Sequence, residues 1–354
     1  MDFGINVATA ADSWKVVKRA EELGFSRAWF FDTPMLNCDV FVGMAAAAMQ
    51  TSKIKLGTCV LVPDGRIAPV AAGALASLNA LAPGRIELGI STGFTARRTL
   101  GLPAVKLEDM REYIRVIQGL LAGETVETVL EGKRRKIRFL SPELGVINIR
   151  DKIPVHVSAF GPKARKLTAE LGTGWIFAMA THEAGLAQLA EMKKAWREAG
   201  RAPETLDAIG TAAGCVLAAG EPYDSARAKA QAGPHANLIY HALAEAAEFG
   251  DLNRPPPAHL KPLVERYKEI YAGYQPADAK YLSNHRGHLM FLRPEEVALC
   301  TADLIKGATF TATKPELRDR IRALKDAGFR HFGIHIRQGH PQMIEDWADV
   351  IEGV

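Results

Sequence analysis

A short apolar strand followed by a hydroxyl-rich turn constrains the fold of this chain most strongly. Residues 85–90 read RIELGI, and Ser91, Thr92 and Gly93 follow directly. The apolar residues and the turn behind them predict a buried strand. Gly89 interrupts that strand, which indicates close approach by a ligand or by another backbone. Since parallel sheets carry their chemistry at the carboxyl ends of strands, we expect this turn to contribute to a site.

Strands alternate with helices along most of the remaining chain. The apolar patterns predict eight strands, at residues 3–8, 27–31, 53–62, 85–90, 154–159, 174–178, 209–218 and 331–336. Strands that alternate with helices favour a parallel sheet. We predict an α/β fold, an eight-stranded (β/α)8 TIM barrel, because eight such units suit a barrel better than an open doubly wound sheet.

We expect a single domain over residues 1–354 with two insertions, since barrels of this length commonly fold as one unit. The strand-helix rhythm breaks first at about 104–150, where a helix precedes short alternating segments that predict a hairpin. It breaks again at about 222–300, which contains helical stretches and a Pro255-Pro256-Pro257 breaker. Both insertions lack a motif that identifies a substrate.

Charge and cysteine usage argue against several classes of function. The net charge of +4 is spread along the chain, with one dense run at 133–136, so we expect no nucleic-acid partner. The four cysteines are far apart and lack metal-ligand spacing, so no metal site is expected: Cys38, Cys59, Cys215 and Cys300. No segment resembles a signal peptide or a membrane span, so we expect a cytoplasmic protein without a membrane partner.

Two helical stretches, at residues 40–49 and 69–81, are uncharged and rich in alanine. On the outside of a barrel, such helices would leave apolar surface that a monomer does not cover. We therefore predict a homodimer that buries these two helices.

The predicted strand ends bring together hydroxyls, small residues and apolar groups: Thr9, Asp32, Thr33, Thr58, Cys59, Val60, Ser91, Thr92, Gly93, Ser158, Ala159, Ala178, Met179, His335 and Arg337. Few of these ionise, which disfavours a hydrolase or an aldolase and suits a planar cofactor with its own electronics. Residues 158–163 read SAFGPK at the start of a helix. This loop predicts a phosphate site at Gly161 and Pro162, although a plain turn into a helix would have the same sequence.

Five motifs in a fixed order make a family resemblance specific. They are LGTCVLVP (56–63), LNALAPGR (78–85), ELGISTG (87–93), SAFGP (158–162) and GTGWIFA (172–178). Together they resemble the bacterial-luciferase-like superfamily, which contains FMN-dependent monooxygenases and oxidoreductases that use the deazaflavin coenzyme F420. The resemblance covers the barrel almost end to end but neither insertion.

The resemblance implies a set of cofactor contacts. A cis peptide at Cys59-Val60, after Thr58, would support the middle of the flavin ring, and Asp32 would lie near the ring. Ser91, Thr92 and Gly93 would contact the ring edge or the ribityl chain. The phosphate would be held by residues of two loops: Ser158, Ala159, Gly161, Pro162, Gly174 and Ala178.

Three positions depart from the patterns of the better-known members. Thr33 and Phe94 replace the histidine and glutamate of the family's sugar-phosphate dehydrogenases, so that substrate class is not expected. Ser91 replaces the reactive cysteine of luciferase itself, so light emission is not expected either.

The polar segment 284–288, NHRGH, supplies further candidates for acid–base work. His285 or His288 is a candidate proton donor beside the flavin, and a capping or surface role is the alternative for both. Asp32 would orient the ring or a nearby proton. Arg97 and Arg98 are candidates to meet a phosphate, or else are solvated loop charges. The basic hairpin 133–138 would attract an acidic cofactor tail.

The resemblance therefore implies a flavin-dependent oxidoreductase. It would either transfer a hydride from reduced F420 or perform monooxygenation with reduced FMN on a small organic substrate, in the second case with a separate flavin reductase. Two alternatives remain open: a non-catalytic flavin-binding protein, and a non-redox phosphate-binding barrel enzyme.

Overall fold

A closed barrel of eight parallel strands forms the centre of the molecule. The computed structural model describes residues 1–250 and 256–354, so Pro255 of the predicted breaker lies outside the described residues. The strands in these ranges are β1 (Asp2–Val7), β2 (Arg27–Phe30), β3 (Lys55–Leu61), β4 (Ile86–Ile90), β5 (Val126–Leu130), β6 (Lys133–Ile137), β7 (Val155–Ser158), β8 (Gly174–Ala178), β9 (Ala208–Ala212), β10 (Val216–Leu217), β11 (Ala312–Thr313) and β12 (His331–Ile336). The barrel order is β1-β12-β9-β8-β7-β4-β3-β2, which confirms the predicted (β/α)8 TIM barrel.

Helices surround the barrel and build the second insertion. They are α1 (Trp14–Glu22), α2 (Val40–Gln50), α3 (Ala68–Leu81), α4 (Thr95–Arg98), α5 (Leu107–Leu121), α6 (Pro162–Leu171), α7 (His182–Glu198), α8 (Ala226–Ala236), α9 (Leu238–Ala244), α10 (Ala246–Phe249), α11 (Lys261–Ala272), α12 (Tyr281–Asn284), α13 (Pro294–Val297), α14 (Ala302–Ala308), α15 (Lys314–Ala327) and α16 (Met343–Ile351). Helix α5 packs in the outer layer of the barrel against α3. What is added between β4 and β7 is therefore the antiparallel hairpin β5–β6 and the segment behind it.

The predicted strand at 209–218 is wrong in one respect, because the chain leaves the barrel after Ala212. The amide of Phe310 donates to the carbonyl of Ala213 at 2.8 Å, and the Thr311 hydroxyl accepts from the Cys215 amide at 3.1 Å. These contacts from a distant segment turn the backbone outward. Residues 216–217 then pair with β11 instead of with the barrel.

Apolar side chains fill the barrel and the layer outside it. Trp29, Ile176 and Ile209 pack inside the barrel against Cys59 and Val60. A larger cluster lies between the strands and the helices, as expected for strands that are buried on both faces. The second insertion has a separate core that includes Tyr240 and Tyr267, stacked at 5.5 Å between ring centroids.

A buried ionic group, which we call the barrel floor, closes the amino end of the barrel. Glu87 lies at its centre, with Arg27 Nε at 3.1 Å, Lys55 Nζ at 3.3 Å and His156 Nε2 at 3.2 Å. Burial alone would raise the pKa of Glu87, but the hydrogen bond from His156 and the charges of Arg27 and Lys55 hold it well below its usual range. The floor lies at the strand starts, the end of a barrel whose residues serve stability.

Helices α2 and α3 are uncharged as expected, and each shows apolar side chains to solvent. The exposed ones on or next to these helices are Val42, Met49, Ile67, Val70 and Leu81. Along the described residues, no helix has the length and apolar character needed to cross a membrane.

Candidate active site

A bulge at the end of β3 shapes the mouth of the barrel. The pairing of β3 with β4 shifts register between Thr58 and Leu61, and the Cys59-Val60 peptide is cis, as the resemblance implied. The Thr58 hydroxyl donates to the Gly89 carbonyl at 2.7 Å. A β-carbon on Gly89 would clash with the carbonyl oxygen of Thr58. The close approach predicted at Gly89 is therefore made by backbone.

Cys59 is a protonated thiol beside a carboxamide that has no partner. Desolvation raises the pKa of Cys59 to about 12, although contact with the Asn6 side chain lowers it somewhat. The thiol is therefore a weak nucleophile. Asn6 is fully buried, and neither of its side-chain polar atoms has a hydrogen-bond partner among the described residues. A buried carboxamide without a partner is unusual and fits a position against a polar ligand.

The hydroxyl-rich turns after β4 and β7 contact each other. The Ser91 hydroxyl donates to the carbonyl of Ser158 at 2.9 Å, which joins the two loops at the barrel mouth. The carbonyl of Ala159 accepts from the Trp175 indole at 2.9 Å. Ser91, Thr92 and Ser158 all keep part of their surface exposed. The predicted ring-edge and phosphate loops therefore lie together.

The amino end of α6 has the properties of an anion site. Gly161 precedes the helix, Pro162 opens it, and the first turn receives no bond from a capping side chain within residues 1–250 and 256–354. Phe160, Gly161 and Pro162 are exposed, and a β-carbon on Gly161 would meet nothing within 4 Å. Free amides and the helix dipole favour a phosphate here. A phosphate-bearing cofactor therefore fits this end of the barrel.

Of the two predicted contacts on β8, only one lies near this loop. Ala178 ends β8 at the mouth, whereas Gly174 begins the strand and pairs with His156 of β7. Five residues of strand separate these ends by about 13 Å. A β-carbon on Gly174 would clash with the His156 ring, so packing beside the barrel floor accounts for this glycine. Its position does not support a phosphate contact.

Asp32 lies after β2 in a buried ion pair that the sequence did not reveal. Arg66 Nη1 lies 3.0 Å from Asp32, and the same guanidinium also contacts Asp39. Burial raises the pKa of Asp32, while the charge of Arg66 opposes that rise. Arg66 thus fixes the carboxyl group at the mouth.

His288 lies inside a buried chain of polar side chains that starts at the mouth. His288 Nε2 lies 3.0 Å from the hydroxyl of Thr95, the first residue of α4, which follows β4. On its other side, His288 Nδ1 lies 2.8 Å from His241 Nδ1, and His241 Nε2 lies 2.6 Å from Glu296. We call this Thr95–His288–His241–Glu296 arrangement the imidazole chain. It connects a hydroxyl at the mouth with a buried carboxylate.

His285 forms a branch of this chain. Its Nδ1 atom lies 3.3 Å from His288 Nδ1, and its Nε2 atom lies 2.8 Å from Glu245, which pairs with Arg98 at 3.1 Å. Both predicted histidines lie in the turn after α12, but they are almost fully buried, so a surface role is wrong. Arg98 is likewise committed to Glu245 and is not free for a phosphate.

The imidazole chain is consistent with neutral rings. Burial, supported by the neighbouring imidazoles, lowers the pKa of His288 well below its usual value, and burial lowers that of His241. Burial would raise the pKa of Glu296, but the bonds from His241 and Arg293 lower it to about 2. If His241 donates to Glu296, its Nδ1 accepts from His288, whose Nε2 then accepts from Thr95. The chain thus supports one consistent set of tautomers.

The other basic candidates from the sequence lie outside the imidazole chain. Arg97 donates to the Pro103 carbonyl at 2.9 Å and lies 3.9 Å from Asp64. The basic residues of the hairpin β5–β6 are exposed. His335 ends β12 inside the barrel and packs its ring against Phe31 at 5.1 Å between centroids.

The fold and this mouth define a class of protein. The TIM barrel, the bulged β3, the joined Ser91 and Ser158 loops and the open start of α6 are the features that the resemblance of the five motifs implied. The family model for luciferase-like monooxygenases matches residues 6–331, and the chain belongs to this family.

Two curated relatives are similar to parts of the chain. The 5,10-methylenetetrahydromethanopterin reductase of Methanolobus tindarius is 32% identical over 216 residues, covering 58% of this chain and 63% of the relative. An F420-dependent glucose-6-phosphate dehydrogenase of Beutenbergia cavernae is 37% identical over 141 residues, covering 38% of this chain and 40% of the relative. The matches thus span less than two thirds of these relatives.

Solved structures share the fold over nearly the whole length. The coenzyme F420-dependent tetrahydromethanopterin reductase of Methanopyrus kandleri has a TM-score of 0.68 at 20% identity, covering 98% of this chain and 97% of that one. The oxygenating constituent of 3,6-diketocamphane monooxygenase from Pseudomonas putida, in complex with FMN, has a TM-score of 0.63 at 15% identity, covering 99% and 96%. At these identities the likeness concerns the fold.

Proposed function

We propose that this chain binds coenzyme F420 and transfers a hydride between the cofactor and a small organic substrate. The single observation that carries the proposal is the open amino end of α6 at the same mouth as the β3 bulge. The curated relatives named above are an F420-dependent dehydrogenase and a methylenetetrahydromethanopterin reductase, and this supports F420 over FMN. The matched family supports redox chemistry.

Each part of the mouth has a separate task in this proposal. Gly161 and the free amides of α6 hold the phosphate, while Ser158 and Ala159 shape that loop. Cys59 and Val60 form the wall under the ring, and Asp32, fixed by Arg66, lies beside it. The bound deazaflavin would supply the two-electron chemistry, which the side chains of the mouth do not.

We propose that the imidazole chain takes up the proton that leaves the substrate when it gives a hydride to the cofactor, and returns that proton in the reverse reaction. By the resemblance of the motifs, Phe94 stands at the position of the glutamate of the family's sugar-phosphate dehydrogenases, and Thr95 follows it directly. In the tautomers given above, the Thr95 hydroxyl can accept a proton from the substrate while its own proton passes to His288, and the transfer continues through His241 to Glu296. Reduction of the substrate reverses each transfer and starts from protonated Glu296. His241 and Glu296 orient His288. His285, which pairs with Glu245, contacts His288 as a branch of the chain.

Monooxygenation with reduced FMN is the second candidate, favoured by the fold shared with the FMN-bound oxygenase. It would need a separate flavin reductase. A non-catalytic flavin-binding protein would keep the phosphate loop but show no turnover. A non-redox phosphate-binding barrel enzyme would bind neither cofactor, and the scarcity of free acid–base groups at the mouth argues against it.

A homodimer formed through α2 and α3 is part of the proposal. The five exposed apolar side chains on or beside these helices give a surface of the kind that a second copy covers.

Equilibrium titration with F420 and with FMN tests the proposed function. We expect tighter binding of F420, seen as a change in cofactor fluorescence, and weaker binding in Gly161→Asp, which places a carboxylate at the α6 amino end. Gly307→Asp adds the same charge in α14, where a β-carbon also meets nothing within 4 Å, and should leave affinity unchanged. Binding of neither cofactor would overturn the proposal, and binding of FMN alone would favour the second candidate.

A further inference from the structure

Four buried polar side chains meet where β12 ends. Gln231 and His235 belong to α8, His335 belongs to β12, and Arg337 follows β12 directly. We call these four residues the β12 cluster. The Nε atom of Arg337 donates to the Gln231 carbonyl at 3.0 Å. The rings of His235 and His335 meet edge to face, 5.5 Å between centroids. The cluster therefore joins the barrel to the second insertion.

The β12 cluster contains hydrogen-bond donors and a charged group that lack partners within the described part of the chain. Arg337 is 3% exposed, and its Nη2 atom has no hydrogen-bond partner in the described part of the chain. The Gln231 amide nitrogen and the Nδ1 atoms of His235 and His335 are also buried without partners there. Among the described residues, no carboxylate acts on the pKa of Arg337, which burial alone shifts. Buried arginines are normally paired, so this guanidinium fits an anion that comes from outside the chain.

The pKa shifts of Arg337 and of the two histidines are consistent with an anion site. Burial lowers the pKa of Arg337 to about 10, so the side chain remains charged at neutral pH. Burial, together with the charge of Arg337, lowers the pKa of His235 to about 3 and that of His335 well below its usual value. Both imidazoles are thus neutral and can donate a hydrogen bond without adding charge.

The order of the strands separates this cluster from the phosphate loop. β12 and β7 are three strands apart in the barrel, with β9 and β8 between them. The α6 amino end that follows β7 therefore lies nearly across the mouth from Arg337. His335 pairs in register with Asn6, whose side chain contacts Cys59. The cluster thus borders the ring site from the side opposite the cofactor phosphate.

We propose that the β12 cluster binds an oxyanion carried by the substrate, a carboxylate or a phosphate group, and so anchors the substrate beside the ring. The Nη atoms of Arg337 would donate to the oxyanion, and the Gln231 amide and the two imidazoles would provide further donors. This inference rests on the proposed function, because it places the substrate next to the cofactor. It assigns substrate recognition to the second insertion, which supplies Gln231 and His235.

The test measures the binding of small anions to the protein loaded with F420. The melting temperature of the F420-loaded enzyme is followed with inorganic phosphate and, separately, with acetate, at constant ionic strength. We expect a saturable rise with at least one of them, and the stronger response identifies the class of oxyanion. In Arg337→Met, the apparent affinity should fall about tenfold or more, while F420 affinity is unchanged. Without anion, Arg337→Met should melt higher, because an unpaired buried charge has been removed.

Arg286→Met is the matched control, since Arg286 is an exposed arginine of the same insertion and should leave both affinities unchanged. A saturable response that persists in Arg337→Met overturns the inference, as does the absence of any response in the wild type. Loss of F420 affinity in Arg337→Met would assign the cluster to the cofactor and also overturns it. If Arg337→Met does not fold, His235→Phe keeps the ring shape, and an unweakened response in that variant contradicts the inference.

Discussion

His288 Nε2 and the Thr95 hydroxyl lie 3.0 Å apart, although 193 residues separate them in the chain. The contact joins the second insertion to the start of α4 and closes the imidazole chain at the mouth. If the chain delivers protons, Thr95→Val should lower turnover by at least about tenfold, because it removes the hydroxyl and keeps the shape. Thr95→Ser should retain most activity. Steady-state kinetics with F420 would measure both.

The histidine variants distinguish proton transfer from packing. His288→Gln should lower turnover and change its pH dependence, with little effect on F420 affinity. His285→Gln should have a smaller effect, because His285 acts on His288 from the branch. Full activity in both Thr95→Val and His288→Gln would exclude the imidazole chain from catalysis.

Acid should destabilise the protein in part through Glu296. Its pKa is about 2 in the folded protein, below the ordinary value of 4.5, despite burial that opposes this shift. The carboxylate therefore contributes stability above about pH 4.5, and this stability is lost as the pH falls toward 2. Glu296→Gln should flatten that part of the curve of unfolding free energy against pH, measured by urea denaturation. Glu265→Gln, an exposed position paired with Lys268, should leave the slope unchanged.

Gly89→Ala should disrupt the β3 bulge. The added β-carbon would clash with the Thr58 carbonyl, so we expect a loss of about 3 kcal/mol or more in unfolding free energy. Gly307→Ala in α14 is the control, since its β-carbon meets nothing within 4 Å and alanine favours a helix. Equal stability of Gly89→Ala and the wild type would mean that the bulge can move.

The proposed dimer predicts the effect of charges on α2 and α3. Val42→Glu and Val70→Glu place carboxylates on side chains that are 56% and 54% exposed, so folding should be unaffected while association weakens. Sedimentation velocity at micromolar concentration would measure the change. Val129→Glu, at a 60% exposed position of the hairpin, should remain associated. A monomeric wild type would contradict the proposal.

The barrel was predictable because its signals are local. Residues 86–90 and 331–336 show their strand character in their own sequence, and helices α5, α6 and α15 begin and end where capping and periodicity place them. The end of β9 was not predictable, because the contacts that turn the chain come from Phe310 and Thr311.

The candidate site likewise has a part that the sequence predicts and a part that it does not. The mouth loops follow from strand ends and from the family motifs, whereas Arg66, Asn6 and Glu296 are brought in by contacts between distant segments. His241 and Glu245 gave one usable signal, since they stand four residues apart on one face of an otherwise alanine-rich stretch. Arg337 was recognised as a strand end, but its lack of a carboxylate partner is visible only in three dimensions.

The barrel floor has a consequence for how such a protein can change. Arg27, Lys55, Glu87 and His156 tie four strands together at the end opposite the mouth. Their contribution to cohesion does not depend on which loops follow the strands. Natural variation or laboratory selection can therefore exchange the loops and the second insertion for new substrates, while the ionic base keeps the scaffold assembled.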